Sequence, residues 1–254
     1  MTIKPIRPAW KGTMTSRERF INQMHFKSID RTVNMEFGYW DENFTEWDIF
    51  VENGIKTHDE GHQLFNLDKI EVLSGNFFMN PGFEHKIIEE TETSNIIINS
   101  MGLMAEVPKN DHSTIPHFIK SSIETPDDWK RIKEEHFRRD DPNRIVDIEA
   151  AKAKHPADRE YPLGVNTGSM IGRVRDMLTF EGLAYACFDY PDMVEDMVET
   201  CCVVDEDFLD QVLPHFDFEY GAGSEDICFN YGPIVTVDFF KNVVMPRYKR
   251  INKK

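Results

Sequence analysis

The sequence predicts an α/β fold built on a parallel sheet, and two observations carry that expectation. Short apolar segments of strand type alternate along the chain with longer segments of helical periodicity, the pattern of repeated β-α units. Polar clusters then fall directly after the strand segments: Tyr39 to Glu42, Asn76, Asn166 to Ser169, and Glu225-Asp226. In an α/β barrel such positions converge on one mouth, where the fold presents its ligand groups.

Thr15-Ser16-Arg17-Glu18 fits a capping box, and the helix it opens places Phe20, Ile21 and Met24 on one face. Val33 to Phe37 reads as the first short strand, ending in the aromatic and acidic cluster Gly38-Tyr39-Trp40-Asp41-Glu42. Phe44 to Leu67 reads as mainly helical, with Trp47, Phe50 and Leu64 as its apolar positions. Ile70 to Leu73 is the second strand, ending near Gly75-Asn76. Glu84 to Val107 alternates in type and predicts a β-hairpin excursion that turns near Thr93 to Asn95 and bends at Gly102. Asp111 to His117 is a polar loop with two histidines.

Thr125-Pro126-Asp127-Asp128 is a helix start: a cap, a proline in the first turn, and acids at the positive end of the dipole. Trp129 and Ile132 face inward from it. A short helix to about Lys154 precedes a buried strand at Tyr161 to Val165. Asn166-Thr167-Gly168-Ser169 then opens a helix carrying Ile171, Val174 and Leu178, and another begins near Phe180. Asp189 caps a longer helix with Pro191 in its first turn and a helical stripe from Met193 to Leu209.

Phe216 to Arg250 reads as strand, acidic turn, Gly-Pro loop and helix. Phe216 and Phe218 alternate with Asp217 and Glu219, Gly221 and Gly223 end the strand, and Thr236 caps the closing helix. Glu225 and Asp226, at the end of that strand, are the candidate catalytic pair; the alternative is that they only cap and solvate a turn.

An excess of acids, 45 Asp plus Glu against 29 Lys plus Arg, gives a net charge of −16. Such a surface repels phosphate backbones and argues against nucleic acid as a partner. No apolar run approaches membrane-spanning length and the N-terminus has no apolar signal region, so no membrane role is expected. The four cysteines make no spaced framework, which points to a reduced, cytoplasmic protein. No repeat, low-complexity tract or linker divides the 254 residues, so one domain over 1–254 is expected, with 84–107 as its hairpin excursion.

Three stretches carry a resemblance to a known family: TSRERFINQMHFKSIDR, GVNTGSMIGRVRDMLTFEGLAYACFDYPDMVEDMVE and SEDICFNYGPIVTVDFFKNVVMPRYKRI, with weaker support from TPDDWKRIK. The chain resembles the uroporphyrinogen decarboxylase superfamily, which includes corrinoid-linked methyltransferases. The resemblance implies a (β/α)8 TIM barrel with its ligand at the C-terminal mouth. For the methyltransferase branch it implies zinc, and a corrinoid carried by a partner protein.

Two departures shape the expectation. The decarboxylases carry an arginine-rich loop after the first strand, whereas FGYWDENFTEW stands here, with no Lys or Arg from Phe37 to Glu52. An acidic, aromatic mouth repels a polycarboxylate. Family members also continue past the PRYKRI helix, and the zinc ligands of the methyltransferases, a His-x-Cys and a later Cys, would lie there; no His-x-Cys occurs in this chain. The barrel is therefore expected to be incomplete at its C-terminus.

The leading expectation is a corrinoid-linked methyltransferase or a relative acting on a small methylated substrate. The alternatives are a decarboxylase of tetrapyrrole metabolism and a non-catalytic ligand-binding barrel. Substrate contacts are expected from Glu36, Tyr39, Trp40, Asn76, Asn166 and Ser169, although Tyr39 and Trp40 also suit a core, and Asn166 and Ser169 also suit a helix cap. His58 and His62 have zinc-compatible spacing on a helix, but Asp59 and Gly61 between them fit two surface histidines better. With only about four or five strands where a barrel needs eight, Val33 to Phe37 is expected to lack its closing neighbour. The chain should then form a homodimer or aggregate, unless the hairpin covers the edge.

Overall fold

The computed structural model describes residues 3–8, 12–109 and 116–254. The first half opens with helix α1 (Ser16–Met24), α2 (Asn43–Glu46), α3 (Asp48–Asn53) and α4 (His58–Phe65). Five strands follow: β1 (Glu71–Leu73), β2 (Lys86–Glu90), β3 (Ser94–Ile98), β4 (Met104–Pro108) and β5 (His117–Lys120). Helices α5 (Pro126–His136) and α6 (Ile148–Lys154) lead to β6 (Leu163–Asn166). Next come α7 (Ile171–Leu178), α8 (Phe180–Asp189), α9 (Pro191–Val212) and β7 (Tyr220–Ala222). The small strands β8 (Cys228–Phe229) and β9 (Gly232–Pro233) precede α10 (Val237–Phe239), a π-helical turn at Phe240–Val244, and α11 (Met245–Ile251).

The fold is mixed α/β, with three separate sheets among the described residues. The central one is parallel, in the order β1-β6-β7, with Val72 opposite Gly164 and Val165 opposite Gly221. The four-stranded sheet β2-β3-β4-β5 is an antiparallel meander, and β8-β9 is a two-stranded ribbon. None of these sheets closes on itself. No helix is long and apolar enough to cross a membrane among the described residues.

Local chemistry explains the helix starts. At α1, Thr15 accepts from the Glu18 amide while Glu18 reaches back to the Thr15 amide at 2.8 Å. Thr125 and Asp128 do the same for α5, with Pro126 in its first turn. Helix α9 presents Met193, Val194, Met197, Val198, Cys201, Val204, Phe208 and Leu209 to the main core, all buried. Each such apolar side chain contributes roughly 1.5–3 kcal/mol by leaving water. Trp129 and Ile132 close the same core from α5. A smaller core of Phe50, Ile55 and Leu64 sits under α3 and α4.

The structure corrects several expectations. Val33 to Phe37 forms no ladder; Asn34 exchanges two bonds with Asp68, and Phe37 is 98% exposed. Strand β7 begins at Tyr220, not Phe216, because Phe216 and Phe218 leave the ladder and pack against the main core. Gly221 therefore lies inside the strand rather than ending it. The excursion holds three strands, not two, and β5 extends it. Tyr190, with no side-chain bond, stands where Asp189 was expected to cap α9. Met24 is exposed on α1 while Phe20 is buried. His112 of the polar loop lies outside the described residues.

Candidate ligand site at the strand ends

The parallel strands run so that Ser74 and Gly223 follow the C-terminal ends of β1 and β7, and Asn166 is the last residue of β6. Asn166 ties two of these ends together: its Nδ2 donates to Ser74 Oγ at 2.7 Å, and its Oδ1 accepts from the Gly168 amide at 2.8 Å. The turn needs Gly168, whose φ is +75° and whose added Cβ would overlap the Asp205 carboxylate. Beyond it lies a cavity of ≈ 200 Å³ lined by Phe77, Asn166, Ser169, Arg175, Ser224 and Asp226 among others. Asp226 is exposed and paired with Arg175, which also holds Asp176 at 2.8 Å.

Glu225 points away from this cavity and into the start of α7. Its carboxylate accepts from the amides of Met170 (2.6 Å), Ile171 (3.0 Å) and Gly172 (2.8 Å) and from Ser169 Oγ (3.0 Å). The Tyr248 hydroxyl of α11 donates to it as well. Helix α7 has no side-chain cap of its own, so a carboxylate 55 residues away in sequence from Met170 fills the orphan donors and opposes the positive end of the dipole. Burial and this acceptor push the Tyr248 phenol well above its usual range, which keeps it a donor.

Arg173 also lines the cavity and is buried. Its Nε donates to Ser169 O at 2.6 Å, Nη1 to Phe77 O and Nη2 to Cys201 O, both at 3.3 Å, and Nη2 also pairs with Asp205. Asp205 is 0% exposed and its Oδ1 has no partner. Burial pushes its carboxyl up to about 7 despite Arg173, and the nearby Glu225 adds to the rise. Arg173 keeps its charge, raised by Cys201 and Asp205 against the cost of burial.

The chain matches no family model, no curated protein and no solved structure. Of the expected residues, Asn166, Ser169 and Asp226 line one cavity and Glu225 borders it. Asn76 lies apart, its carbonyl accepting from Arg144 at 2.6 Å, beside a separate cavity of ≈ 40 Å³. Glu36, Tyr39 and Trp40 do not reach the site. Glu36 is exposed and bonds the Phe37 amide, and Trp40 is 76% exposed. Tyr39 packs against Phe50 at 4.9 Å and stacks on His58. The reason is local: without a strand at 33–37 to carry them forward, Tyr39 collapses onto the aromatic side chains around α3 and α4, while Glu36 and Trp40 stay in solvent.

His58 Nδ1 accepts from the Tyr39 amide at 3.0 Å, so it and His62 serve the small core rather than the strand ends. Two of the four cysteines are poor ligands for the zinc that the family resemblance implies. Cys201 and Cys202 are buried in α9, and burial pushes their thiols up to about 11 and about 12, against the thiolate form that zinc takes. Sequence reading missed Arg173, Arg175 and Asp205. The signal for them is periodic: Arg173 interrupts an otherwise apolar helix face, and Asp205 does the same on α9.

Proposed function

We propose that the chain binds a small substrate at the ends of β6 and β7, as part of a (β/α)8 barrel of the uroporphyrinogen decarboxylase superfamily, and that it is a corrinoid-linked methyltransferase. The observation that carries the reading is the meeting of Asn166, Ser169, Ser224 and Asp226 in one cavity beyond the C-terminal ends of parallel strands, where this class of fold places its chemistry. A volume of ≈ 200 Å³ suits a small methylated molecule or its acceptor and is far too small for a corrinoid macrocycle. The corrinoid would stay on a partner protein, where it supplies or receives the methyl group. Free thiols at all four cysteines suit a cytoplasmic setting.

In this reading Asp226 takes the proton that a thiol or hydroxyl acceptor loses on methylation. Arg175 fixes its orientation, and Ser224 and Asn166 hold the substrate by neutral hydrogen bonds. Glu225 and Arg173 are positioning residues that keep the start of α7 and the Gly168 turn in place. The decarboxylase alternative is disfavoured because the two guanidiniums at the cavity, Arg173 and Arg175, already carry carboxylate partners, leaving little to bind a polycarboxylate.

The test uses the purified chain with free methylcobalamin as probe and a small thiol as acceptor, followed by the loss of methylcobalamin absorbance. Consumption above the buffer rate is expected, and Asp226→Asn should lower it by roughly 10²-fold. Thiol binding by calorimetry without methyl transfer would replace the reading with a non-catalytic ligand-binding protein. Measured decarboxylation of uroporphyrinogen would sink it in favour of the carboxy-lyase.

A further inference from the structure

We propose that strand β5 and helix α8 form a docking groove for an extended, basic peptide segment of a partner protein, which adds to the antiparallel sheet as a fifth strand. Strand β5 is terminal in the order β2-β3-β4-β5, all its residues are exposed, and among the described residues it ladders only with β4. A terminal strand with a free edge is a template for main-chain pairing. A cavity of ≈ 280 Å³ is lined by Phe118, Ile119 and Lys120 of β5 and by Glu181, Tyr185 and Asp189 of α8. An edge strand beside a helix across an open groove is the geometry in which peptides are captured by strand addition, with backbone bonds giving affinity and alternate side chains giving specificity.

The charge of the groove selects the occupant. Lys120 is already paired with Glu124 at 3.0 Å. Glu181 and Asp189 have no cationic partner among the described residues, so the groove carries uncompensated negative charge. Tyr185, 63% exposed, offers a ring face to a lysine or arginine, while Phe118 and Ile119 offer apolar contacts to the alternate side chains. A strand alternating basic and apolar residues meets both demands at once. An acidic strand meets neither, because like charges placed opposite one another repel. The groove has no lining residue in common with the strand-end cavity, so peptide binding is read out separately from what that cavity does.

The experiment measures fluorescence anisotropy of labelled eight-residue peptides against the full chain. One peptide alternates Lys and Val, a second alternates Glu and Val, and a third is the Lys-Val peptide with its backbone amides N-methylated on alternate residues. Binding of the first alone is expected, and the double variant E181K/D189K should weaken it roughly tenfold while its circular dichroism stays that of the parent. Equal binding of the Lys and Glu peptides, or no binding of either, would overturn the proposal. Undiminished binding of the N-methylated peptide would also overturn it, since that peptide keeps the charge and loses the ladder. So would a well-folded E181K/D189K chain that binds as the parent does.

Discussion

Asp205 shows how one residue sets a condition on the whole site. It is fully buried, shares Arg173 with three carbonyl oxygens, and leaves Oδ1 without a partner. Desolvation outweighs the guanidinium, so its carboxyl titrates near 7 in the folded chain against an ordinary value of 3.8. Because the folded state holds this proton more tightly than the unfolded one, Asp205 contributes stability that is present below about pH 4 and is lost as pH rises through about 7. The loss is on the order of a few kcal/mol. Despite burial, Glu219 is held low by the Leu163 amide and then by Arg159 and Arg17, and Asp68 by Arg31 and the Asn34 amide, so these carboxylates slope the other way in the acid range. The comparison with D205N therefore isolates the effect: urea unfolding from pH 4 to 8 should show the parent losing stability relative to the variant. Parallel slopes would remove Asp205 as the titrating group.

At the scale of elements, α7 owes its start to another part of the chain. The helix is only eight residues long and has no local cap, and isolated helices of that length are marginal. Glu225 supplies the missing acceptor, and Tyr248 ties the same carboxylate to α11. Charge-assisted bonds of this kind each contribute about 1.5–3 kcal/mol, with a further dipole contribution of about 0.3–1 kcal/mol. Glu225→Gln turns one acceptor oxygen into a donor facing other donors, so a loss of roughly 2–4 kcal/mol is expected in denaturant unfolding. Tyr248→Phe removes one bond and should cost roughly 1 kcal/mol. An E225Q midpoint indistinguishable from the parent would refute the capping role.

For the whole molecule, the edges of the parallel sheet govern behaviour in solution. Its order β1-β6-β7 leaves one edge of β1 and one edge of β7 without a strand among the described residues. The antiparallel meander forms its own sheet and ladders with neither. Val72 on β1 is 40% exposed, and Met35, Phe37 and Trp40 are exposed in the segment bonded to Asp68 just ahead of that strand. Apolar side chains near a free strand edge favour association. Light scattering should show a mass that rises with concentration toward a dimer or larger species, and Val72→Lys should shift it back toward the monomer. A monodisperse monomer of the parent at every concentration would exclude association at this edge.

The sequence by itself determined the α/β class, the starts of α1 and α5, the core stripe of α9, and the placing of Asn166 and Ser169 near one strand end. These follow from short-range rules: capping boxes at Thr15 and Thr125, the 3.6-residue period, and glycine at the Gly168 turn. Only the tertiary structure decided which strand segments ladder. Val33 to Phe37 has strand-like composition, but a strand exists only where another strand ladders with it, and among the described residues none does. Only the tertiary structure likewise separated two adjacent acids. Glu225 meets the start of α7 from 53 to 55 residues away, while Asp226 turns toward Arg175 and the cavity. Which of two neighbouring carboxylates caps and which faces ligand depends on contacts distant in sequence, and local pattern carries no record of them.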